Sequence, residues 1–229
     1  MRNLLALIII IFLLASCSTY NGPIFKGSNY ISTDVGTTYH YKRVELKTKQ
    51  SISIDITVDS CNADKSKCSY TTKIFDSSGK MINKYSMHYT IDKGSFFFKG
   101  AVRITDNFYK DSSILLPEKL QLNREVNMQH SERFGYVRER LIVHKEVPNI
   151  EINKHKYKNC LNMIFETITP LNDKKIKILT NEIDCENIGA VKKEMSIYSL
   201  IPVKNPEYNN FALNASYIET LQSITHKDS

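Results

Sequence analysis

The pattern of apolar positions changes abruptly after residue 16. Residues 4–15 (LLALIIIIFLLA) form an unbroken apolar run of 12, and no later segment approaches it. Beyond the run the dominant period is two. Ile52, Ile54, Ile56 and Val58 alternate with Ser53, Asp55 and Thr57, which puts four β-branched side chains on one face of a strand and polar ones on the other. The alternation resumes at Cys68, Tyr70, Thr72 and Ile74, and a turn at residues 76–79 (DSSG) follows. Met81, Tyr85, Met87, Tyr89 and Ile91 share one parity on the returning strand, and residues 92–94 (DKG) turn the chain again into Phe96, Phe97 and Phe98. Residues 105–123 interrupt this meander with Asp, Asn, Ser and Pro117 around Ile114, Leu115 and Leu116, and read as a crossover with room for a helical turn. Residues 134–147 then carry Val137, Leu141 and Val143 on one face and Arg138, Arg140 and His144 on the other, before residues 147–149 (VPN) turn the chain. Residues 158–169, 176–184 and 211–224 read as further strands, the last closing the domain. No segment holds an apolar stripe of period 3.6, so an all-β or β-dominated antiparallel meander is expected.

The first apolar run has a different meaning. A helix of 12 residues rises about 18 Å, short of the roughly 30 Å hydrocarbon core. With Arg2 before it, the run reads as an N-terminal export signal. Leu14-Ala15-Ser16-Cys17 resembles the lipobox of bacterial lipoproteins. The resemblance implies cleavage between Ser16 and Cys17, a diacylglycerol on the Cys17 sulfur and acylation of the new amino group. Two or more acyl chains anchor stably at about 0.8 kcal/mol per buried CH₂. Ser18 rather than Asp follows, which in enterobacterial lipoproteins goes with the outer membrane, facing the periplasm. The expected division is a signal peptide over residues 1–16, a lipidated tether over 17–30 and a single β domain over 31–226. The tether is polar, carries Gly22, Pro23 and Gly27, and has no period.

Composition now becomes informative. The chain has 229 residues, five cysteines and a formal charge of +7. Its length and composition exclude a polytopic membrane protein, a collagen-like fibre, a disordered chain and a tiny cystine-stapled scaffold. Assigning Cys17 to lipid leaves Cys61, Cys68, Cys160 and Cys185, an even set in an oxidising compartment. Of the three pairings, Cys61 with Cys68 closes the polar loop CNADKSKC, and Cys160 with Cys185 ties two apolar segments. Loop closure gives these about 2.5 and 3.5 kcal/mol. The alternative of a metal site or redox dithiol has no Cys-x-x-Cys and no suitably spaced His behind it. Losing Arg2 with the signal lowers the charge to +6. That balance suits anionic head groups or glycan polymers, or simply a solvated lysine-rich surface; nucleic acid is not an expected partner in the envelope.

Four separated pieces of the mature chain resemble a broad group of bacterial lipoproteins and periplasmic proteins built on an antiparallel, half-barrel-like sheet. Residues 36–41 (GTTYHY) resemble their early Gly-x-x-aromatic-x-Tyr strand, and residues 114–117 (ILLP) their central Leu-Leu-Pro crossover. Residues 157–161 (YKNCL) resemble a Phe-x-Asn-Cys-Leu strand, and residues 188–192 (IGAVK) a Val-Gly-Leu-Val-Lys segment. Asp184-Cys185 stands where the group carries an aromatic pair before that last segment, and residues 151–154 (EINK) replace its Pro-Ala-Gly. The resemblance implies an open, curved, half-barrel-like sheet, with Gly189 at a bulge or close backbone approach. It implies no activity.

The chain contains no Gly-x-Ser-x-Gly elbow, no His-Glu-x-x-His helix, no phosphate loop and no dinucleotide fingerprint. The six histidines (His40, His88, His130, His144, His155, His226) are scattered. Asp55, Asp59 and Asp64 approach a calcium-loop spacing but lack its glycine and closing glutamate. Asn214-Ala215-Ser216 matches a glycosylation acceptor only formally, since the lipobox points to a bacterium. Neither catalytic residues nor cofactors nor metals are expected. Tyr85, Met87, Tyr89, Phe96 and Phe98 either fill sheet positions or line an apolar concave face for an acyl chain or partner. The leading expectation is a lipid-anchored, non-enzymatic binding or assembly module whose partner is an envelope protein or a lipid. A lipid or lipoprotein carrier is the alternative, and an envelope enzyme the third.

Overall fold

The computed structural model describes residues 22–92, 95–103, 113–132, 135–171, 174–201 and 210–227; the signal segment, its expected helix and Cys17 lie outside the described residues. The chain runs through β1 (Ile24–Lys26), a one-turn 3-10 helix (Gly27–Tyr30), β2 (Thr37–Glu45), β3 (Ser51–Cys61), β4 (Lys67–Phe75), β5 (Met81–Asp92) and β6 (Ser95–Arg103). It continues through β7 (Ser113–Leu116), β8 (Lys119–Gln121), β9 (Glu125–Glu132), β10 (Gly135–Ile152), β11 (His155–Leu171), β12 (Lys174–Cys185), β13 (Gly189–Ile201) and β14 (Asn210–His226). Twelve strands form one antiparallel sheet in the order β7-β6-β5-β4-β3-β2-β14-β13-β12-β11-β10-β9, and β1 pairs with β8 apart from it.

This is the β-dominated, antiparallel meander expected from the alternation. The last strand returns to pair beside β2, which joins the two halves of the meander into one surface. The end strands β7 and β9 do not pair with each other, so the sheet stays open. Twelve twisted strands cannot lie flat, and the sheet curls.

Alternating residues put the core on the inner side. Tyr39 and Tyr41 of β2, Ile54 and Val58 of β3, Tyr70 of β4 and Leu221 of β14 pack as one buried cluster. A second cluster joins Leu141 and Val143 of β10 with Leu161 and Met163 of β11 to Tyr30, Leu116 and Leu120. The strand directions place the turns at residues 62–66, 153–154 and 186–188 at one end of the sheet, with those at 46–50 and 76–80 at the other.

The first end is clamped. Cys61 and Cys68 face each other across the β3–β4 hairpin, Cys160 and Cys185 face each other across β11 and β12, and both pairs are bonded as disulfides. The same end receives the segment expected to be a free tether. Residues 24–30 are instead docked: β1 pairs with β8, and the Asn29 carbonyl accepts the Asn187 N–H at 2.7 Å. Gly27 has no room for a side chain there, since a Cβ would meet the Pro117 carbonyl oxygen at 2.3 Å. The Ser32 carbonyl accepts the Tyr70 hydroxyl and the Ser32 hydroxyl accepts that of Tyr39.

Two further readings change. Residues 113–121, expected as crossover, contribute the short strands β7 and β8. The turn expected at residues 147–149 does not occur: β10 runs through Pro148 to Ile152, and the chain turns at Asn153 and Lys154, both with positive φ. β9 reaches only to Ile142, so at Pro148 the strand pairs on one side alone, where a residue without an N–H is tolerated. Gly189 has φ +86°, a backbone conformation that favours glycine; its Cβ position lies in ordinary contact, 3.5 Å from the Tyr30 carbonyl oxygen, so the backbone angle and not a close approach requires it.

Candidate functional site

Most inner-facing rows of the sheet are apolar, but one is not. Val143, Met163, Glu182, Lys193, Glu219 and Arg43 are successive cross-strand partners from β10 through β11, β12, β13 and β14 to β2. Cross-strand partners project from the same face, so the row carries four charged side chains side by side toward the concave side. Arg43 donates to Glu219 Oε2 through Nε at 2.8 Å, with Nη2 at 2.6 Å from the same oxygen. Lys193 Nζ lies 3.3 Å from Glu182 Oε2. One row nearer the clamped end, Asp184 pairs with Leu161 and Ala190. Asp184 is 5% exposed, and its Oδ2 is shielded from solvent with no hydrogen-bond partner among the described residues.

These side chains border a cavity of about 370 Å³, within the usual size of small-molecule sites, roughly 300–1,000 Å³. One wall is aromatic: Tyr39, Tyr41, Tyr70 and Tyr89, with Tyr30 of the strap above them. The other is the charged wall of Glu182, Asp184, Lys193 and Glu219, and Glu139 of β10 also borders the space. Four of these five hydroxyls are committed to the protein. Tyr39 and Tyr70 donate to Ser32, Tyr41 donates to the Ala190 carbonyl at 3.0 Å, and Tyr89 donates to the Met87 sulfur at 3.1 Å. Tyr70 and Tyr89 meet edge to face with centroids 4.9 Å apart. The aromatic wall therefore offers mainly ring surface.

The electrostatics follow from burial. Burial pushes the hydroxyls of Tyr41, Tyr70 and Tyr89 above the ordinary tyrosine range. Burial, aided by the charges of Glu186, Glu146 and Asp184, raises Tyr30 to about 12. Glu182 holds the Lys193 ammonium well above its usual value against the opposing effect of burial, with Glu219 adding to it. Asp184 is held well above the carboxylate range, first by burial and then by the Glu182 charge, with Lys193 opposing.

Of the residues singled out in the sequence, Met87 and Tyr89 border the cavity. Tyr85 pairs with Thr72 on the same strand face, and the side chains of Phe96 and Phe98 lie outside the described residues. The concave face is thus less apolar than the acyl-chain reading supposed. The aspartates of the calcium-like spacing do not converge: Asp55 pairs with His40 at 2.7 Å, Asp59 accepts from Thr71, and Asp64 accepts from the Ser66 N–H. Among the described residues no group of three or more His, Cys, Asp or Glu could hold a metal ion. Glu182, Asp184, Lys193 and Glu219 are new. The one sequence signal for them is parity, since Ile176, Ile178, Thr180, Glu182 and Asp184 share it along β12.

The architecture defined here is an open antiparallel half-barrel, clamped at one end by a docked N-terminal strap and two disulfides, around a cavity with one aromatic and one charged wall. No protein-family model matches the chain, and no curated protein matches it. Two solved structures are similar in fold. One, from Bacteroides fragilis NCTC 9343, is described as a "putative exported protein with YmcC-like fold"; it is 13% identical with a TM-score of 0.54, over 85% of this chain and 98% of that one. The other, a "putative lipoprotein" from Parabacteroides distasonis ATCC 8503, is 16% identical with a TM-score of 0.49, over 86% and 98%.

Proposed function

We propose that the protein is a lipid-anchored envelope protein whose half-barrel acts as a non-enzymatic binding module, taking a small ligand into the cavity of its concave face. The observation that carries the reading is the cavity itself, a partly open space between ring surfaces and a charged row. The lipobox-like segment ending at Cys17 and the similarity in fold to a chain described as an exported protein support its place in the envelope. The docked strap adds a geometric point. With Gly27 fixed against Pro117, only about ten residues separate the acylated Cys17 from the sheet, so the clamped end stays within roughly 35 Å of the membrane surface. The carrier reading for an acyl chain keeps Met87, Phe165 and Ile56 as apolar lining, but four carboxylates and an ammonium border the same space, and a hydrocarbon chain would strip them of water without return.

Two arms test the proposal. Cys17→Ser should move the protein from the membrane fraction to the soluble fraction and abolish labelling by a palmitate analogue; retention in the membrane would overturn the anchor. Native mass spectrometry of the full chain, extracted from its own membranes in mild detergent, should show an adduct beyond the acylated mass. Thr180→Trp, which fills the cavity from β12, should lose it. An adduct unaffected by the filled cavity, or none at all, would overturn the binding module.

A further inference from the structure

The charged wall is unbalanced by one. Glu182, Asp184 and Glu219 carry three carboxylates against the two cations Lys193 and Arg43. Glu219 is committed to Arg43 and Glu182 to Lys193, which leaves Asp184 without an ion pair of its own: the Glu182 carboxylate stands beside it, the Lys193 charge is shared, and Oδ2 has no hydrogen-bond partner among the described residues. A buried carboxyl in that position has two states that satisfy it: it keeps a proton, or it meets a cation. Across the cavity stand rings whose hydroxyls are already engaged, and ring surface attracts cations. The chain as a whole is basic, so an acidic, aromatic cavity is a local feature set against its overall charge.

From this arrangement we propose, resting on the binding-module reading, that the cavity takes a ligand carrying one ammonium or guanidinium group, which docks against Asp184 while its apolar body lies along Tyr39, Tyr41 and Tyr70. Glu182 is already paired with Lys193, so the incoming group supplies the missing third cation and does not compete with an existing pair. Its arrival displaces the proton from Asp184: the carboxylic acid and the ammonium ion give a carboxylate–ammonium pair and one proton released to buffer. The groups facing Asp184 from the neighbouring elements are Glu182 on its own strand, Lys193 on β13, Glu219 on β14, Tyr41 on β2 and Tyr30 on the strap. Of these, Asp184 is the carboxyl whose proton burial holds above the ordinary carboxylate range, while burial shifts the tyrosines upward and Glu182 and Glu219 stand in ion pairs with Lys193 and Arg43. A neutral polyhydroxylated ligand would instead leave the proton in place.

The experiment titrates the full chain in detergent with 2-phenylethylammonium, its neutral analogue 2-phenylethanol, and glucose, by calorimetry in two buffers of different ionisation enthalpy at one pH. The ammonium should bind at least about tenfold more tightly than the alcohol and release close to one proton; Asp184→Asn should weaken it about tenfold or more while leaving the alcohol unchanged. The proton count is read on the unaltered protein and does not depend on the variant folding. Equal binding of ammonium and alcohol, or of glucose alone, with no proton released, would overturn the cation site while leaving a binding cavity. No binding of any probe, with Thr180→Trp indistinguishable from the unaltered protein, would overturn both.

Discussion

The two walls of the half-barrel are built on the same period and differ in what they turn inward. On β2, β3 and β4 the inner positions are Tyr39, Tyr41, Ile54, Val58 and Tyr70, all buried and packed as one cluster. On β12, β13 and β14 the equivalent inner positions hold Glu182, Asp184, Lys193 and Glu219 around a cavity. A strand's alternation decides which residues share a face; it does not decide that the shared face is apolar. The first wall supplies stability through burial. The second replaces part of that burial with paired charge and leaves space, which is the pattern of a site held by a scaffold.

That contrast is open to direct attack. The largest loss should come from removing the staple at the root of the charged wall: Cys160→Ser with Cys185→Ser should cost about 3.5 kcal/mol in urea unfolding, against about 2.5 kcal/mol for Cys61→Ser with Cys68→Ser on the apolar wall. Equal losses would mean that the two walls depend on their staples alike. Next, Lys193→Met leaves Glu182 and Asp184 facing each other without their shared ammonium. It should cost about 2 kcal/mol, below the range for a fully buried pair, because the Lys193 side chain is 31% exposed and borders the cavity. Third, Val58→Ala on the apolar wall should cost about 2 kcal/mol, and it should leave ligand binding unchanged where Lys193→Met alters it.

The last prediction is the most specific. Folded Asp184 holds its proton well above the range in which the unfolded chain, near 3.8, releases it. Unfolding therefore releases a proton at any pH between the two values, and stability falls as pH rises through that window, by up to about 1.4 kcal/mol per pH unit. Asp184→Asn removes the slope. The variant should match the parent near pH 4 and equal or exceed it near pH 7; parallel profiles for the two proteins would contradict the account of Asp184.

The apolar wall was legible in the sequence because its residues announce their parity: Ile52, Ile54, Ile56 and Val58 can hardly be read otherwise. β13 carries no strand signal, because Lys192, Lys193 and Glu194 interrupt any simple alternation. The same interruption hides the site. Glu182, Lys193, Glu219 and Arg43 each look like a solvated surface residue, and only the register of four strands, with Arg43 and Glu219 separated by 176 positions, brings them together. β1 escaped for another reason: three residues carry no period, and what docks them is the fit of Gly27 against Pro117 and the carbonyl of Asn29 against the 186–188 turn. Pro148 misled because a proline signals a turn only where both edges of a strand are paired.

The most direct test of the central claim is a crystallographic density map, at a resolution that separates ordered waters, of the full chain purified from its own envelope. The account predicts a bound molecule between Tyr41 and Asp184, with a positively charged nitrogen at hydrogen-bonding distance from Asp184 Oδ2. A cavity closed by its own side chains, with Asp184 in a direct pair with Lys193 and no space beside the tyrosines, would contradict it.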